Sequence, residues 1–204
     1  GYDVFNQCVM MVGGNVYTDG EFKNIDEFLW FDGECWQPYE PIYPPLRSNS
    51  SIAFDRRRGV TVVFGGLDIE NYPEFSYFED TWEWNGNSWM LCSIEGPGKR
   101  AHAAMVYHPA IELSLLFGGF KEHNQQYKDM WGWDGTDWFL IDNGESGPGE
   151  RSDHTLVFDE ENDSIVLFGG YDYQLGNFTD STWIWSNGEW QDVTPSGIKP
   201  MPRE

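Results

Sequence analysis

The chain has 204 residues, with 12 Lys+Arg against 34 Asp+Glu and a formal net charge of −22. This charge excludes DNA and RNA as expected partners, because phosphate contacts need Lys and Arg, and it argues equally against an anionic membrane surface. No apolar run approaches the roughly 18 residues of a membrane span. Leu, Ile, Val and Phe make up about 23% of the chain, above the roughly 20% below which high charge usually means disorder, and 11 Trp and 10 Tyr add surface to bury. Cys8, Cys35 and Cys92 are odd in number and form no C-x-x-C pair. They fit neither a disulfide framework nor a typical structural zinc site, and are read as small buried hydrophobes. Acidity suits an extracellular or a cytoplasmic protein equally, so the compartment stays open.

From the N-terminus onward the sequence repeats. A double glycine after an apolar run occurs at Gly13-Gly14, Gly65-Gly66, Gly118-Gly119 and Gly169-Gly170, with the first glycines 52, 53 and 51 residues apart. Eleven residues before each lies an aromatic: Tyr2, Phe54, Tyr107 and Phe158. Seven residues earlier still, the three complete copies carry Arg47, Arg100 and Arg151. Downstream, an aromatic and a Trp stand five apart every time: Phe31/Trp36, Trp84/Trp89, Trp133/Trp138 and Trp185/Trp190. Between double glycine and aromatic block, residues 15–26, 67–79, 120–128 and 171–180 vary in length and read as polar loops.

Each copy resolves into four short strands. The first follows the arginine, as in Ala101–Tyr107 or Thr155–Phe158. The second is the run before the double glycine, apolar on successive residues and therefore buried on both faces. The third carries the alternating pair Trp82/Trp84, Trp131/Trp133 or Trp183/Trp185, whose members share one strand face. The fourth starts at the last Trp, after Asp32-Gly33, Asn85-Gly86, Asp134-Gly135 or Asn187-Gly188, where a hairpin turn with positive φ at both residues is predicted. Four antiparallel strands per repeat of about 50 residues predict an all-β propeller with one blade per repeat.

The apolar run closed by Gly-Gly, followed by the spaced aromatic pair, resembles the kelch repeat over essentially the whole chain; Val12 departs from the Phe that precedes the other double glycines. The expected division is one propeller region, 1–204: blade one at 1–46 lacking its first strand, blade two at 47–99, blade three at 100–150, blade four at 151–202, and the start of a next blade at 203–204. Two arrangements fit this count. The chain is either a window of a larger ring, or a ring of four closed alone or by pairing with a second copy. An open arc would expose apolar blade faces and invite self-association.

The resemblance implies that Arg47, Arg100, Arg151 and Arg203 face the mouth of the central channel. Converging guanidinium groups there would bind carboxylates. The alternative is that each arginine pairs with an acid of its own repeat, such as Glu27, Asp80, Asp129 or Asp180, and locks the blades. The variable loops cluster aromatics outside the repeat pattern, among them Tyr72, Tyr77, Phe120, Tyr127, Tyr171 and Tyr173, and loops on a rigid scaffold commonly carry binding. The recurring Trp admit a sugar-stacking reading, but their register favours packing between blades.

Catalytic signals are thin. His102, His108, His123 and His154 form no metal-ligand or triad spacing, and Gly96-Pro97-Gly98-Lys99-Arg100 is a blade connector matched by Gly147-Pro148-Gly149-Glu150-Arg151. The expectation is therefore a non-catalytic module with neither cofactor nor metal, binding a protein or peptide, acidic in character, at the arginine mouth and loops. The rival is a carbohydrate-binding or sugar-modifying propeller, since the resembled families include copper sugar oxidases and sugar mutarotases.

Overall fold

The structure, a computed structural model, describes residues 2–3, 7–25, 27–38, 44–45, 47–70, 75–121 and 125–197. Four sheets follow one another along the chain, each an antiparallel meander of four strands lying side by side in chain order. Blade one comprises Tyr2–Asp3, Cys8–Val12, Phe28–Phe31 and Trp36–Pro38; blade two comprises Ser51–Asp55, Val60–Phe64, Thr81–Trp84 and Trp89–Ser93. Blade three comprises Ala104–His108, Leu113–Phe117, Met130–Trp133 and Trp138–Asp142; blade four comprises Thr155–Asp159, Ser164–Phe168, Thr182–Ser186 and Glu189–Asp192. No helix occurs among the described residues. This is the kelch-type propeller blade that the repeat predicts.

The second strands carry the core, as their unbroken apolar runs require. Val62, Val63 and Phe64 in blade two, and Leu115, Leu116 and Phe117 in blade three, are almost completely buried. Each is flanked in its sheet on both sides: Val63 stands between Ile52 and Trp82, and Leu116 between Met105 and Trp131. Adjacent blades then pack face to face. Cys8 and Met10 of blade one meet Trp84 of blade two, and Val62 and Phe64 of blade two meet Met105, Leu116 and Trp133 of blade three. Leu115, Phe117 and Met130 of blade three meet Ile165, Leu167 and Trp185 of blade four. The second Trp of each third strand is thus the buried one, whereas Trp131 is half-buried. Each such aromatic removes on the order of 150–250 Å² from water.

Among the described residues no hydrophobic cluster joins blade four to blade one. Val9 and Met11, which alternate with the buried Cys8 and Met10, are 41% and 39% exposed, and Val157 of blade four is 59% exposed.

Five sequence expectations need correction. Blade one keeps the end of its innermost strand, since Tyr2 pairs with Val9 and Asp3 with Cys8. The innermost strand of blade three starts at Ala104 rather than Ala101, because His102 turns the chain with φ 57° and Ala101 forms only an isolated bridge to Phe120. The variable loops each contain a short hairpin, such as Asn15–Thr18 with Glu21–Asn24 and Tyr171–Asp172 with Asn177–Phe178, held by cross-strand aromatic pairs like Tyr171–Phe178 at 5.0 Å. Only Asn187-Gly188 has positive φ at both turn residues. In the other three turns Asp32, Asn85 and Asp134 stay outside that region, and their side chains cap the N–H groups two and three residues on. Of the cysteines Cys8 is buried as expected, whereas Cys35 is exposed.

Candidate functional site

Because strands alternate in direction along each meander, the loop after the second strand and the connector to the next blade emerge at the same end. At that end each connector crosses the double glycine of the blade before it. The N–H groups of Gly14, Gly66 and Gly119 donate to the carbonyls of Arg47, Arg100 and Arg151 at 3.0, 2.9 and 2.8 Å. A Cβ on Gly118, at φ +65°, would stand 2.6 Å from the Arg151 carbonyl oxygen. Close approach of the next blade is thus why hydrogen alone is tolerated there.

The arginine side chain then turns back into its own blade. Arg47 grips Asp80 with two N–H donors at 2.7 and 2.9 Å and donates to the Gly65 carbonyl at 2.9 Å. Arg100 grips Asp129 at 2.8 and 3.2 Å and donates to the Gly118 carbonyl at 3.1 Å. Both arginines are 1% exposed. Burial raises the Asp80 carboxyl, but the Arg47 hydrogen bond and charge outweigh it and leave the group below the usual carboxylate range. Phe78 and Tyr127 cover the guanidinium planes of Arg47 and Arg100 at 4.3 and 3.7 Å. Arg151 lies in the same place, but its side-chain partner is Ser181. The arginines therefore sit inside the blades rather than converging on the channel. Arg203 lies outside the described residues, as do Tyr72 and His123.

A depression of about 270 Å³ lies between the innermost strands, lined by Ile52, Phe54, Val106 and Phe158. Arg56 and Glu160 pair beside it at 2.6 Å.

Two residues after each arginine, the connectors touch one another. The His102 N–H donates to the Asn49 carbonyl, and the Asp153 N–H donates to the His102 carbonyl, at 2.9 and 3.1 Å. All three residues are left-handed, with φ of 54°, 57° and 58°. Non-glycine residues held in that region mark sites where surrounding structure imposes the conformation. His102 Nδ1 and Asp153 Oδ1 lie 2.5 Å apart. Burial raises the Asp153 carboxyl, and the His102 hydrogen bond and charge bring it below its ordinary range.

Against this pair lies a strip of aromatic rings from three hairpins. His102 stacks on Phe120 at 4.8 Å. Phe120 also meets Tyr77 of blade two at 6.1 Å and Tyr173 of blade four at 5.8 Å. Tyr173 continues to Tyr171 at 4.8 Å, and Tyr171 to Phe178. Every ring of the strip keeps part of its surface in solvent. Gln126, buried, fixes the strip between blades: it accepts from the Tyr173 N–H at 2.9 Å and donates to the Tyr171 carbonyl at 2.7 Å. Of the aromatics singled out from sequence, the strip thus unites Tyr77, Phe120, Tyr171 and Tyr173. Tyr127 instead covers Arg100 and donates to the Lys99 carbonyl. Sequence reasoning weighed His102 only as a metal-ligand or triad candidate, and passed over Asp153 and Gln126. The available signal was that the position two residues after the arginine varies as Asn, His and Asp while its surroundings repeat. Among the described residues no group of three or more His, Cys, Asp or Glu is placed to hold a metal ion.

One solved structure, titled "Structure of YjhT", is similar to this chain with a TM-score of 0.68 and 16% sequence identity. The likeness covers 93% of this chain and 67% of that one, and at this identity it concerns the fold alone. No curated protein matches the sequence. A family model described as the KLHDC2/KLHL20/DRC7 Kelch-repeats domain matches residues 3–204. With the match spanning nearly its whole length, the chain belongs to the family of kelch-repeat domains.

Proposed function

We propose that the chain is a recognition module that binds a protein or peptide segment across the mouth end, on the strip formed by Tyr77, Phe120, Tyr171 and Tyr173 beside the His102–Asp153 pair. The observation that carries this reading is the continuity of partly exposed aromatic rings across three blades. Aromatic side chains are the residues most enriched in protein recognition surfaces and their energetic centres. They stand here on short hairpins anchored to a rigid sheet scaffold, the arrangement in which loops most often bind. Arg47 and Arg100 are already neutralised by Asp80 and Asp129. The proposal gives them a locking role, and the acidic character first expected of the ligand drops out of it.

Selection from a random-peptide display library tests the reading, with Phe120→Ala as the counter-selection. Peptides that bind the wild type and not the variant are expected. A glycan array and an NMR assay of sugar anomer exchange run beside it. Sugar binding or anomer exchange abolished by the same substitution, without peptide binders, would move the site to the carbohydrate reading and overturn this one.

A further inference from the structure

Blades two, three and four repeat one corner with a single change. In blade two Asp80 Oδ2 accepts from Arg47 Nη2 at 2.9 Å and from Trp82 Nε1 at 2.6 Å. In blade three Asp129 Oδ2 accepts from Arg100 Nη2 at 3.2 Å and from Trp131 Nε1 at 2.7 Å. In blade four the residue before the third strand is Ser181. Its hydroxyl accepts from Arg151 Nη1 at 3.1 Å, the role that Oδ1 plays in the other blades. Among the described residues nothing plays the role of Oδ2. The Trp183 Nε1 donor is buried with no acceptor, Arg151 Nε has none either, and Arg151 Nη2 reaches only the Pro148 carbonyl.

Arg151 is 4% exposed and has no carboxylate within ion-pair distance among the described residues. Burial pushes its pKa down to about 10, against the opposing pull of the Asp172 and Asp192 charges. A buried cation without a contacting anion is costly, and so is a buried N–H without an acceptor. In the two complete corners the carboxylate itself stays partly open to water, with the Asp80 and Asp129 side chains 17% and 21% exposed. The equivalent carboxylates of blades two and three thus border solvent.

We propose that the Arg151–Ser181–Trp183 corner is an oxyanion-binding site, in which an oxygen of a small phosphate or carboxylate takes the place that aspartate Oδ2 holds in blades two and three. One oxygen satisfies the Trp183 indole N–H, and its charge neutralises Arg151. The site stands independently of the aromatic strip, so either proposal survives failure of the other.

Thermal unfolding tests it, with sodium phosphate or sodium acetate as the probe and ionic strength held constant with sodium chloride. The wild-type midpoint is expected to rise saturably with at least one of the ions, by about 4 °C at ten times its dissociation constant. The two arms separate phosphate from carboxylate. Ser181→Asp supplies the missing oxygen from within. It should start from a higher midpoint and lose the response. Trp183→Phe, which removes the orphaned donor alone, should weaken the response about threefold and reports on the site even if Ser181→Asp folds poorly. A wild type that responds to neither ion up to about 50 mM, or an equal response in all three proteins, overturns the proposal.

Discussion

The interior of blades two and three and the end that carries the aromatic strip are built from the same repeats, yet they hold different things constant. Inside, each position recurs with the same chemistry: apolar second strand, Gly-Gly, arginine, aspartate, Trp. At the mouth the connector residues are Asn49, His102 and Asp153, and the hairpins differ in length and in aromatic content. The interior is almost wholly buried, whereas the strip keeps part of its surface in solvent. The difference separates two jobs. Burial punishes any change of volume or charge inside the blades. The mouth is held by backbone hydrogen bonds between connectors, so its side chains are free to diversify.

Substitutions should therefore split by region. Gly118→Val should abolish folding, since the new side chain meets the Arg151 carbonyl at a positive φ; retention of the native circular-dichroism spectrum would break the comparison at its strongest point. Trp133→Ala empties a site that is 1% exposed and leaves Glu83 Oε1 without the indole donor now 2.7 Å away. It should cost roughly 3–5 kcal/mol in urea unfolding. Asp129→Ala leaves Arg100 buried and unneutralised. About 3 kcal/mol of lost stability is expected, against less than about 1 kcal/mol for Ser181→Ala, which removes one neutral hydrogen bond. Equal costs for these two would mean that the charge of Asp129 contributes nothing.

Acid should also act inside rather than at the mouth. His154 is buried and, through desolvation first and the neighbouring Arg151 charge second, its pKa falls to about 3. The folded state holds this imidazole neutral, while the unfolded chain takes up the proton near its ordinary value of about 6.5. Stability from this group is complete above that value and is lost as pH falls toward 3, by up to about 1.4 kcal/mol per pH unit. His154→Leu should flatten the stability profile between pH 6 and 4, measured as urea midpoints. An unchanged slope would show that the imidazole charges without cost in the folded state. The strip contributes little to stability: Phe120→Ala should cost no more than about 1–2 kcal/mol, because the ring is only half-buried.

The architecture was legible because the propeller writes itself as a period. Gly65, Gly118 and their equivalents mark the close approach of the next blade, and the Trp at fixed spacing mark the packing faces. The arginines were read at the right spacing, but their direction was not legible. Whether Arg100 faces the channel or Asp129 depends on a turn of the connector that no local pattern encodes. Pairing with an acid of the same repeat is the other direction the spacing allows, and Arg47–Asp80 and Arg100–Asp129 realise it. The site was legible only in part. Tyr77, Phe120, Tyr171 and Tyr173 stood out as aromatics beyond the repeat pattern. Their meeting with His102 and Asp153 joins residues of three blades, and such long-range geometry leaves no trace in spacing. Ser181 was visible as a departure from the aspartates only after the pairing was known.

The most direct test of the central claim, that the aromatic strip recognises a ligand while the blades merely hold it, is the affinity of a library-selected peptide for the wild type, Phe120→Ala and Tyr173→Ala. Each substitution should weaken binding at least about tenfold, the loss of one aromatic contact at the centre of an interface, with the circular-dichroism spectrum unchanged. Affinities within a factor of about two of the wild type, in variants that remain folded, would contradict the assignment and place recognition elsewhere on the molecule.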